Sequence, residues 1–486
     1  MDKEENKDFD SKEDQTNGYI RIRKFKFVML IFVLIFATAG ITTFALAFGD
    51  EKAVKVGVNQ RTEFNKLYDT YDELNKKYYK DIDKEKLING AINGMLDSLD
   101  DPYSDYMTKE EAEKFHESIS SSFQGIGAEI QEKDGNIVVV SPIKGSPAEK
   151  VGIKPNDKIL AVDGKSIRGM SANEAVLLIR GEKGTKVTLT IQRAGSHDTT
   201  QMTITRDEIP VNTVYAEMLK DGIAKIQITS FSENTYNELL TALNEMDSKG
   251  MKSLIIDLRQ NPGGLLDQAI EISNLFIPEG KTILQVEDKN GKREVITAKD
   301  GKKIKVPLAV VIDKGSASAS EIFAAAVSES AGIPLVGEKS FGKGTVQTAT
   351  DFKDGSNMKF TTAKWLTPNA NWIHQKGIVP NYQVKMPKYA ELPLINPDSK
   401  YKVSSLSNEV KAAEEMLKAL GYNPGKIDGY FDEHTKKAVM NFQKDTKLKA
   451  NGNLQGDTTI QLMNKIREKI IKNDTQVNKA IELLKK

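Results

Sequence analysis

The chain has no cysteine and only four histidines, His116, His197, His374 and His434, among 486 residues. The missing thiols exclude cysteine nucleophiles, disulfide frameworks and cysteine-based metal sites. The scarcity of histidine bears on serine chemistry. A serine hydroxyl attacks poorly unless a base takes its proton, and the usual base is a histidine oriented by a carboxylate. None of the four sits in a recognisable catalytic stretch. Excess charge is missing too: the formal net charge is +1, and no Lys/Arg-rich run follows the first fifty residues. That balance gives no reason to expect a polyanionic partner and argues against nucleic acid as a ligand. Nothing in the sequence calls for a metal or an organic cofactor.

The length is enough for about three or four folded units. The stretch FVMLIFVLIFATAGITTFALAF, Phe27 to Phe48, carries no charge and as a helix would cross about 30 Å of hydrocarbon. Arg21, Arg23, Lys24 and Lys26 crowd its start, while Gly49, Asp50 and Glu51 follow its end. The positive-inside bias therefore predicts a single-pass anchor with a cytoplasmic N-terminus and everything after about residue 49 outside. Two alternatives stand beside it: cleavage near ALA at 45–47, which resembles a signal-peptidase site, and a buried core helix.

From about 62 to 118, apolar residues recur three and four apart and predict amphipathic helices. From Phe123 the pattern shortens to alternating strands with one late helix, SANEAVLLIR. Between Lys225 and Thr350, short unalternated apolar runs such as SLIIDLR and LAVVID are separated by helical stretches. That pattern predicts a buried parallel sheet. A Pro-containing linker near 387–400 leads to a small helical segment. There DGYFDEHT (428–435) is echoed by NGNLQGDT (451–458), a turn followed by a helix start in each case. A lysine-rich tail closes the chain.

In an open parallel sheet, ligands gather beyond the carboxyl ends of the strands. Two loops meet that description, RQNPGGLL after one strand and DKGSASAS after another. Gly263 and Gly264 leave backbone N–H groups unshielded, which suits an oxyanion and equally suits an ordinary strand-to-helix turn. Ser318 stands three residues before Glu321, the spacing of a capping box; an N-cap serine is also an exposed hydroxyl at a positive helix end. Ser316 and Ser320 lack that relation and are expected on the loop and the helix surface. Lys343, flanked by glycines in SFGKGTVQ, is the candidate base, with a plain surface lysine as the alternative. The spacing of GEKSFGK also suggests a phosphate loop, but Gly344 stands where a Mg²⁺-binding hydroxyl belongs and a strand follows. Gln347, four positions on, would point the same way as Lys343 in extended backbone.

NPGG, GSASASE and FGKGTVQ, with GIGAEI and GSPAEKVGIKPNDKILAVDG upstream, together resemble the carboxyl-terminal processing, or tail-specific, proteases from about Leu67 to Tyr382. The resemblance implies a crotonase-like α/β protease core with a parallel sheet. It makes Ser318 the nucleophile, Lys343 the general base and Gln347 its orienting partner, with oxyanion donors on Ala319 and on one of Gly263 or Gly264. An ordinary lysine has a pKa of about 10.4, so a neutral amine near pH 7 needs about 5 kcal/mol of environmental preference, for which burial is the natural source.

Residues 123–208 resemble a PDZ domain, a β-rich α+β unit inserted before the core. Its GIGA loop, Gly125, Ile126, Gly127 and Ala128, would hold a peptide carboxylate, and Arg180 could relay occupancy. The segment from about Val410 to Leu462 resembles a peptidoglycan-binding domain of three helices. The expected organisation is then a cytoplasmic tail 1–26, transmembrane helix 27–48, helical arm 59–118, PDZ domain 123–208, protease core 209–390, an all-α domain 404–468 and the tail 469–486. The implied partners are protein or peptide substrates with free C-terminal tails, peptidoglycan, the membrane of a bacterial cell and, through the arm, a second copy of the chain. The rival reading is an envelope scaffold that binds tails and wall around an idle protease core.

Overall fold

A computed structural model describes residues 24–48, 61–133, 135–193, 198–299 and 304–485. The chain divides into two units, 1–87 and 88–486, each described by itself. In the first, α1 (Lys24–Phe48) presents Phe27 to Phe36 as exposed side chains. Among the residues searched, no helix is long and apolar enough to cross a membrane. The side chains of α1 are not described beyond Gly40, so the span expected at 27–48 lies partly outside the described residues, as do Arg21, Arg23 and the ALA at 45–47. A second helix, α2 (Asn65–Lys77), buries none of its residues.

The division falls within α3 (Lys84–Asp97). Beyond it the segment expected as a helical arm is not helical throughout. Strand β1 (Asp105–Met107) precedes α4 (Lys109–Ser120), which starts on a Thr108–Glu111 capping box. β1 is paired into the core sheet formed within residues 282–366 and is not part of a helical arm.

The PDZ unit follows as β2 (Ser122–Gly125), β3 (Ala128–Lys133), β4 (Asn136–Pro142), α5 (Pro147–Lys150), β5 (Lys158–Val162), β6 (Lys165–Ser166), α6 (Ala172–Ile179), β7 (Lys186–Gln192), β8 (Thr199–Thr205) and β9 (Asp207–Pro210). Its sheet runs β3-β4-β5-β7-β8, with β6 on β5 and β2 paired to β9. Alternation puts Val187, Leu189 and Ile191 of β7 inside, packed with Ile137, Val139, Ala175 and Ile179.

The core comprises β10 (Val214–Met218), β11 (Ile223–Ile228), α7 (Thr235–Ser248), β12 (Ser253–Asp257), α8 (Leu266–Asn274), β13 (Thr282–Asp288), β14 (Arg293–Thr297), β15 (Leu308–Ile312), α9 (Ala319–Ala331), β16 (Leu335–Gly337), β17 (Thr345–Asp351), β18 (Asn357–Leu366) and β19 (Tyr382–Gln383). One sheet runs β10-β11-β12-β15-β16-β19, parallel throughout except for antiparallel β10. A second joins β1, β18, β13 and β14, with β17 also on β18. Every residue of β12 and β15 is buried, as the unalternated apolar runs predicted.

Those runs face two cores. Leu254, Ile256, Val310 and Ile312 pack with α7, α8 and α9, whereas Ile255, Ala309 and Val311 pack with Val477 and Ala480. The latter two belong to α13 (Thr475–Leu484), which follows α10 (Asn408–Ala419), α11 (Glu433–Asp445) and α12 (Asp457–Lys472). The lysine-rich tail is therefore a helix that covers the second face of the core sheet. The helical module before it has its own core of Val410, Met416, Phe431, Phe442 and Leu462. Its internal echo has a physical basis. Glu414 accepts from Gly429 N–H and Thr435 Oγ1; Gln443 Oε1 likewise accepts from Gly452 N–H, while its Nε2 donates to Thr458 Oγ1.

Candidate functional site

The loop after β12 and the loop after β15 lie side by side at the carboxyl edge of the sheet. Asn261 ties them together: its Nδ2 donates to Ile228 O at 2.8 Å, and its backbone O accepts from Ala317 N–H and Ser320 Oγ, each at 3.0 Å. Gln260 Nε2 reaches Asp313 Oδ2 at 2.6 Å. Ser316 lies on the loop as expected, but Ser320 is not the helix-surface residue expected. Both are fully buried, with Ser316 Oγ donating to Leu258 O at 2.9 Å. Their hydroxyls hold the two loops together, which leaves Ser318 as the serine with an unspent side chain.

Ser318 is the N-cap of α9 at φ 53° and ψ −115°; it forms the expected capping-box arrangement with Glu321, in which the carboxylate side is the firm bond and the hydroxyl stands at the N3 N–H without a well-formed hydrogen bond. A positive φ is strained for a residue with a β-carbon. Glu321, in contrast, is fully engaged. Its carboxylate accepts from Ser318 N–H at 2.9 Å, Lys343 N–H at 2.8 Å, Gly342 N–H at 2.7 Å and Ser340 Oγ. The sequence showed Glu321 only as a helix cap, yet this buried carboxylate fastens the serine turn to the lysine loop.

Gly263 approaches the serine turn so closely that a β-carbon there would lie 2.8 Å from both Ala317 O and Ser318 Cβ, at a φ of 106°. Its N–H donates to Asn261 Oδ1 at 2.9 Å. Gly264 pairs with Phe231 as an isolated parallel bridge and has a φ of 144°. Among the described residues the N–H groups of Gly264 and Ala319 have no hydrogen bond. One open donor therefore follows Ser318 in the chain, and the other follows Gly263, which packs against Ser318 Cβ.

Lys343 lies in irregular backbone, since β17 starts only at Thr345; the extended geometry expected from 343 to 347 covers only its second half. Its carbonyl accepts from Trp365 Nε1, and Gly344 O accepts from Trp372 Nε1, both at 2.9 Å. The Lys343 ammonium lies 4.8 Å from the centroid of the Tyr103 ring. Burial pushes its pKa below the ordinary lysine value, with Lys359 adding to the effect and Asp101 and Glu321 opposing it. Burial, with Glu321 and Asp101, raises the Tyr103 phenol in turn. Among the described residues no hydrogen bond joins Lys343 Nζ to Ser318 Oγ or to Gln347. Gln347 Nε2 instead donates to Thr345 Oγ1 at 3.0 Å and Thr361 Oγ1 at 3.1 Å.

Asp101 and Tyr103 were absent from the sequence-based set because they lie far upstream in a segment expected as helix. β1 carries them in by pairing antiparallel with β18, Asp105 opposite Lys359. A cavity of about 620 Å³ elsewhere, lined by Asp257, Arg259, Asp474 and their neighbours, contains none of the candidate residues.

In the PDZ unit, Gly125 and Ala128 sit in strand ladders opposite Asp207 and Pro142. Ile126 and Gly127 make the turn between them. Their carbonyls accept from Ala148 and Ile143 N–H at 2.8 and 2.9 Å, while among the described residues their own N–H groups are unpaired. A cavity of about 90 Å³ beside them is lined by Phe123, Ile130, Val176, Ile179 and Arg180. Arg180 lies 4.7 Å from the Phe123 ring centroid and reaches Glu117 of α4 at 2.8 Å.

Comparison with known proteins agrees with this layout. Residues 222–384 match peptidase family S41, 45–111 the N-terminal domain of the activating protease CtpB, 138–193 a PDZ domain and 407–462 a peptidoglycan-binding domain. The chain is 50% identical over 464 residues to the carboxy-terminal processing protease CtpA of Bacillus subtilis, covering 96% of this chain and 99% of that protein. To CtpB of the same organism it is 44% identical over 425 residues, covering 86% and 88%.

Proposed function

The chain belongs to the carboxy-terminal processing proteases of peptidase family S41, a serine protease family, and we propose that it cleaves exported proteins near their C-termini with Ser318 as nucleophile and Lys343 as general base. The observation that carries this reading is a strained N-cap serine with an unspent hydroxyl, fastened through Glu321 to the loop of a half-buried lysine. Deprotonation weakens the hold of the Tyr103 ring on Lys343, because a neutral amine has no cation–π attraction. The freed amine takes the Ser318 proton as Oγ attacks the scissile carbonyl, and an acyl-enzyme forms. The oxyanion receives the N–H groups of Ala319 and Gly264, since the Gly263 N–H is committed to Asn261. Lys343 then returns the proton to the leaving amine. An idle core would have no use for a strained serine.

Substrate tails enter as a strand beside β3, with the terminal carboxylate on the Ile126 and Gly127 N–H groups and the last side chain in the adjoining cavity. Occupancy is relayed by Arg180 through Glu117 to α4. The end of that helix meets the turn between β11 and α7, next to Phe231, which bridges Gly264: Ile119 O accepts from Glu233 N–H at 2.9 Å and Ser118 O from Ser232 Oγ at 3.2 Å. We further propose an extracytoplasmic protease of the bacterial envelope, anchored by the uncharged run 27–48 behind its basic flank and attached to peptidoglycan through the module at 404–468. Exposed Leu67, Tyr68 and Leu74 on α2 are available to pair two chains.

The test is peptide turnover by purified Ser318→Ala and Lys343→Ala variants that keep the native circular dichroism spectrum. Both are expected to be inactive. Turnover at the parental rate by Lys343→Ala would remove the lysine from the mechanism.

A further inference from the structure

The helical module uses one local device twice, and the two copies differ at the surface. Asp428–Thr435 and Asn451–Thr458 align residue by residue, with Gly429 against Gly452, Phe431 against Leu454 and Thr435 against Thr458. All six of these are buried, so each serves the fold. Tyr430 aligns with Asn453, and there the chemistry does not match. The fold accepts a small polar residue at this place, so the Tyr430 ring is not needed to close a core. Alternation sends it outward, because Phe431 takes the inward place. Leu406 stands opposite Tyr430 across an isolated antiparallel bridge. Ser407 N–H donates to Gly429 O at 3.1 Å and Phe431 N–H to Ser405 O at 2.8 Å. Those two bonds make 406 and 430 a directly opposed pair of the closely spaced kind, with both side chains on one face. Leu406 is 73% exposed and Tyr430 45%. The backbone beneath them is fixed: Asp428 Oδ1 accepts from Tyr430 N–H at 3.0 Å, and Glu414 accepts from Gly429 N–H at 3.0 Å.

We propose that Leu406 and Tyr430 form the wall-contact site of this module and take the apolar face of an N-acetylated sugar ring of the glycan strand. The inference rests on the reading that the module attaches the chain to peptidoglycan, and it names the residues and the part of that polymer which meet. A sugar ring carries C–H groups on its faces and hydroxyls around its rim. A tyrosine suits both, since its ring covers the face while its hydroxyl meets the rim. Leu406 widens the apolar surface for the acetyl methyl group. The polar neighbours suit the same ligand. Asp428 and Lys411 are both exposed and opposite in sign, and Lys411 begins beside Gly429, where a β-carbon would lie 3.4 Å from Lys411 Cβ. One acceptor and one donor that sum to no charge serve hydroxyls and an acetamido group. A stem peptide instead brings carboxylates and an amine, whose desolvation demands fixed partners of opposite sign. Because the pair is held on a fixed backbone, docking a ring on it orders little that was free.

The test sediments the full chain with purified cell walls over a range of wall concentrations, for the parent and for Tyr430→Asn, Tyr430→Phe and Leu406→Ser. Tyr430→Asn installs the residue found at 453, so the fold already has a precedent for it. It should weaken wall binding about tenfold or more, Leu406→Ser about threefold or more, and Tyr430→Phe should stay within about threefold of the parent. Thermal midpoints and turnover of a short soluble peptide should match the parent for all three, because both side chains are exposed and neither belongs to the catalytic set. Soluble glycan strands stripped of their stem peptides by an amidase should displace the parent from walls, and the stem peptides released by the same amidase should not. If Tyr430→Asn lowers the thermal midpoint, the comparison of Leu406→Ser with Tyr430→Phe decides. The proposal is overturned if Tyr430→Asn binds walls within about twofold of the parent, if Tyr430→Phe loses as much as Tyr430→Asn, or if free stem peptides displace the parent and stripped glycan does not. A parent chain that does not sediment with walls at all would instead bring down the attachment reading, and this inference with it.

Discussion

Ser318 occupies a region of backbone space that favours glycine, and holding a side chain there costs about 1–3 kcal/mol. Ser318→Gly should therefore abolish turnover and raise stability by about 1 kcal/mol, visible as a higher thermal midpoint, whereas Ser318→Ala should abolish turnover without that gain. A midpoint for Ser318→Gly at or below that of Ser318→Ala would show that the turn is unstrained. The lysine responds to its neighbours in a definite direction. Activity requires the neutral amine, and Lys359 helps to lower the Lys343 pKa, so Lys359→Gln should shift the ascending limb of kcat/KM to higher pH. An unmoved limb would mean that another group sets the profile. At this scale Ser318 and Lys343 were legible because each lies in a short local pattern. Glu321 was half legible: its spacing announced a helix cap but not the reach to residues 340, 342 and 343. Asp101 and Tyr103 were illegible, since no local spacing connects their turn to β18, where Ser104 Oγ meets a hydrogen-bond partner 257 positions away.

Among elements, α13 shows how far composition can mislead. Its lysines read as a tail, yet Val477, Ala480, Ile481 and Leu484 recur at helical spacing and pack on the free face of the core sheet. That spacing was the available signal. The strands β12 and β15 were read correctly because burial on both faces leaves no room for polar residues. What the sequence could not announce was which element covered the second face. Arg259 fixes α13 to the site: its Nη2 binds Asp257 and Asp474, both at 2.7 Å, and its Nη1 binds Gln476 at 3.0 Å, one residue before the Gln260–Gly264 loop. Asp474→Ala leaves Arg259 paired with Asp257 alone and removes the N-cap of α13, so it should destabilise the protein by about 1–2 kcal/mol and lower turnover as well. Denaturant unfolding checks this, and a loss within about 0.5 kcal/mol would mean that α13 is merely draped over the sheet.

Across the molecule, the chain threads a PDZ unit between the turn that carries Asp101 and the sheet that carries Ser318. The module that matches a peptidoglycan-binding domain is likewise set inside the protease fold, because α13 returns to the core after it. Recognition domains inserted in this way can act on the site mechanically. The proposed path runs from the groove beside Ile126 and Gly127 through Arg180, Glu117 and α4 to the turn after β11, where Phe231 bridges Gly264. The Arg180–Glu117 pair is partly exposed and contributes little to stability, so its loss should be felt in coupling. Glu117→Gln should preserve cleavage of a short peptide too small to fill the groove while reducing the preference for substrates with free C-terminal tails over amidated ones. Unchanged preference would separate the PDZ unit from control of the site.

The account depends on Lys343 drawing the proton from Ser318, and the rate at which a serine-directed fluorophosphonate acylates Ser318 across pH reads that step without substrate binding or product release. The parent protein should label faster as pH rises and level off below the ordinary lysine pKa, while Lys343→Ala should label slowly at every pH. Labelling of Lys343→Ala at the parental rate, with the same pH dependence, would contradict it.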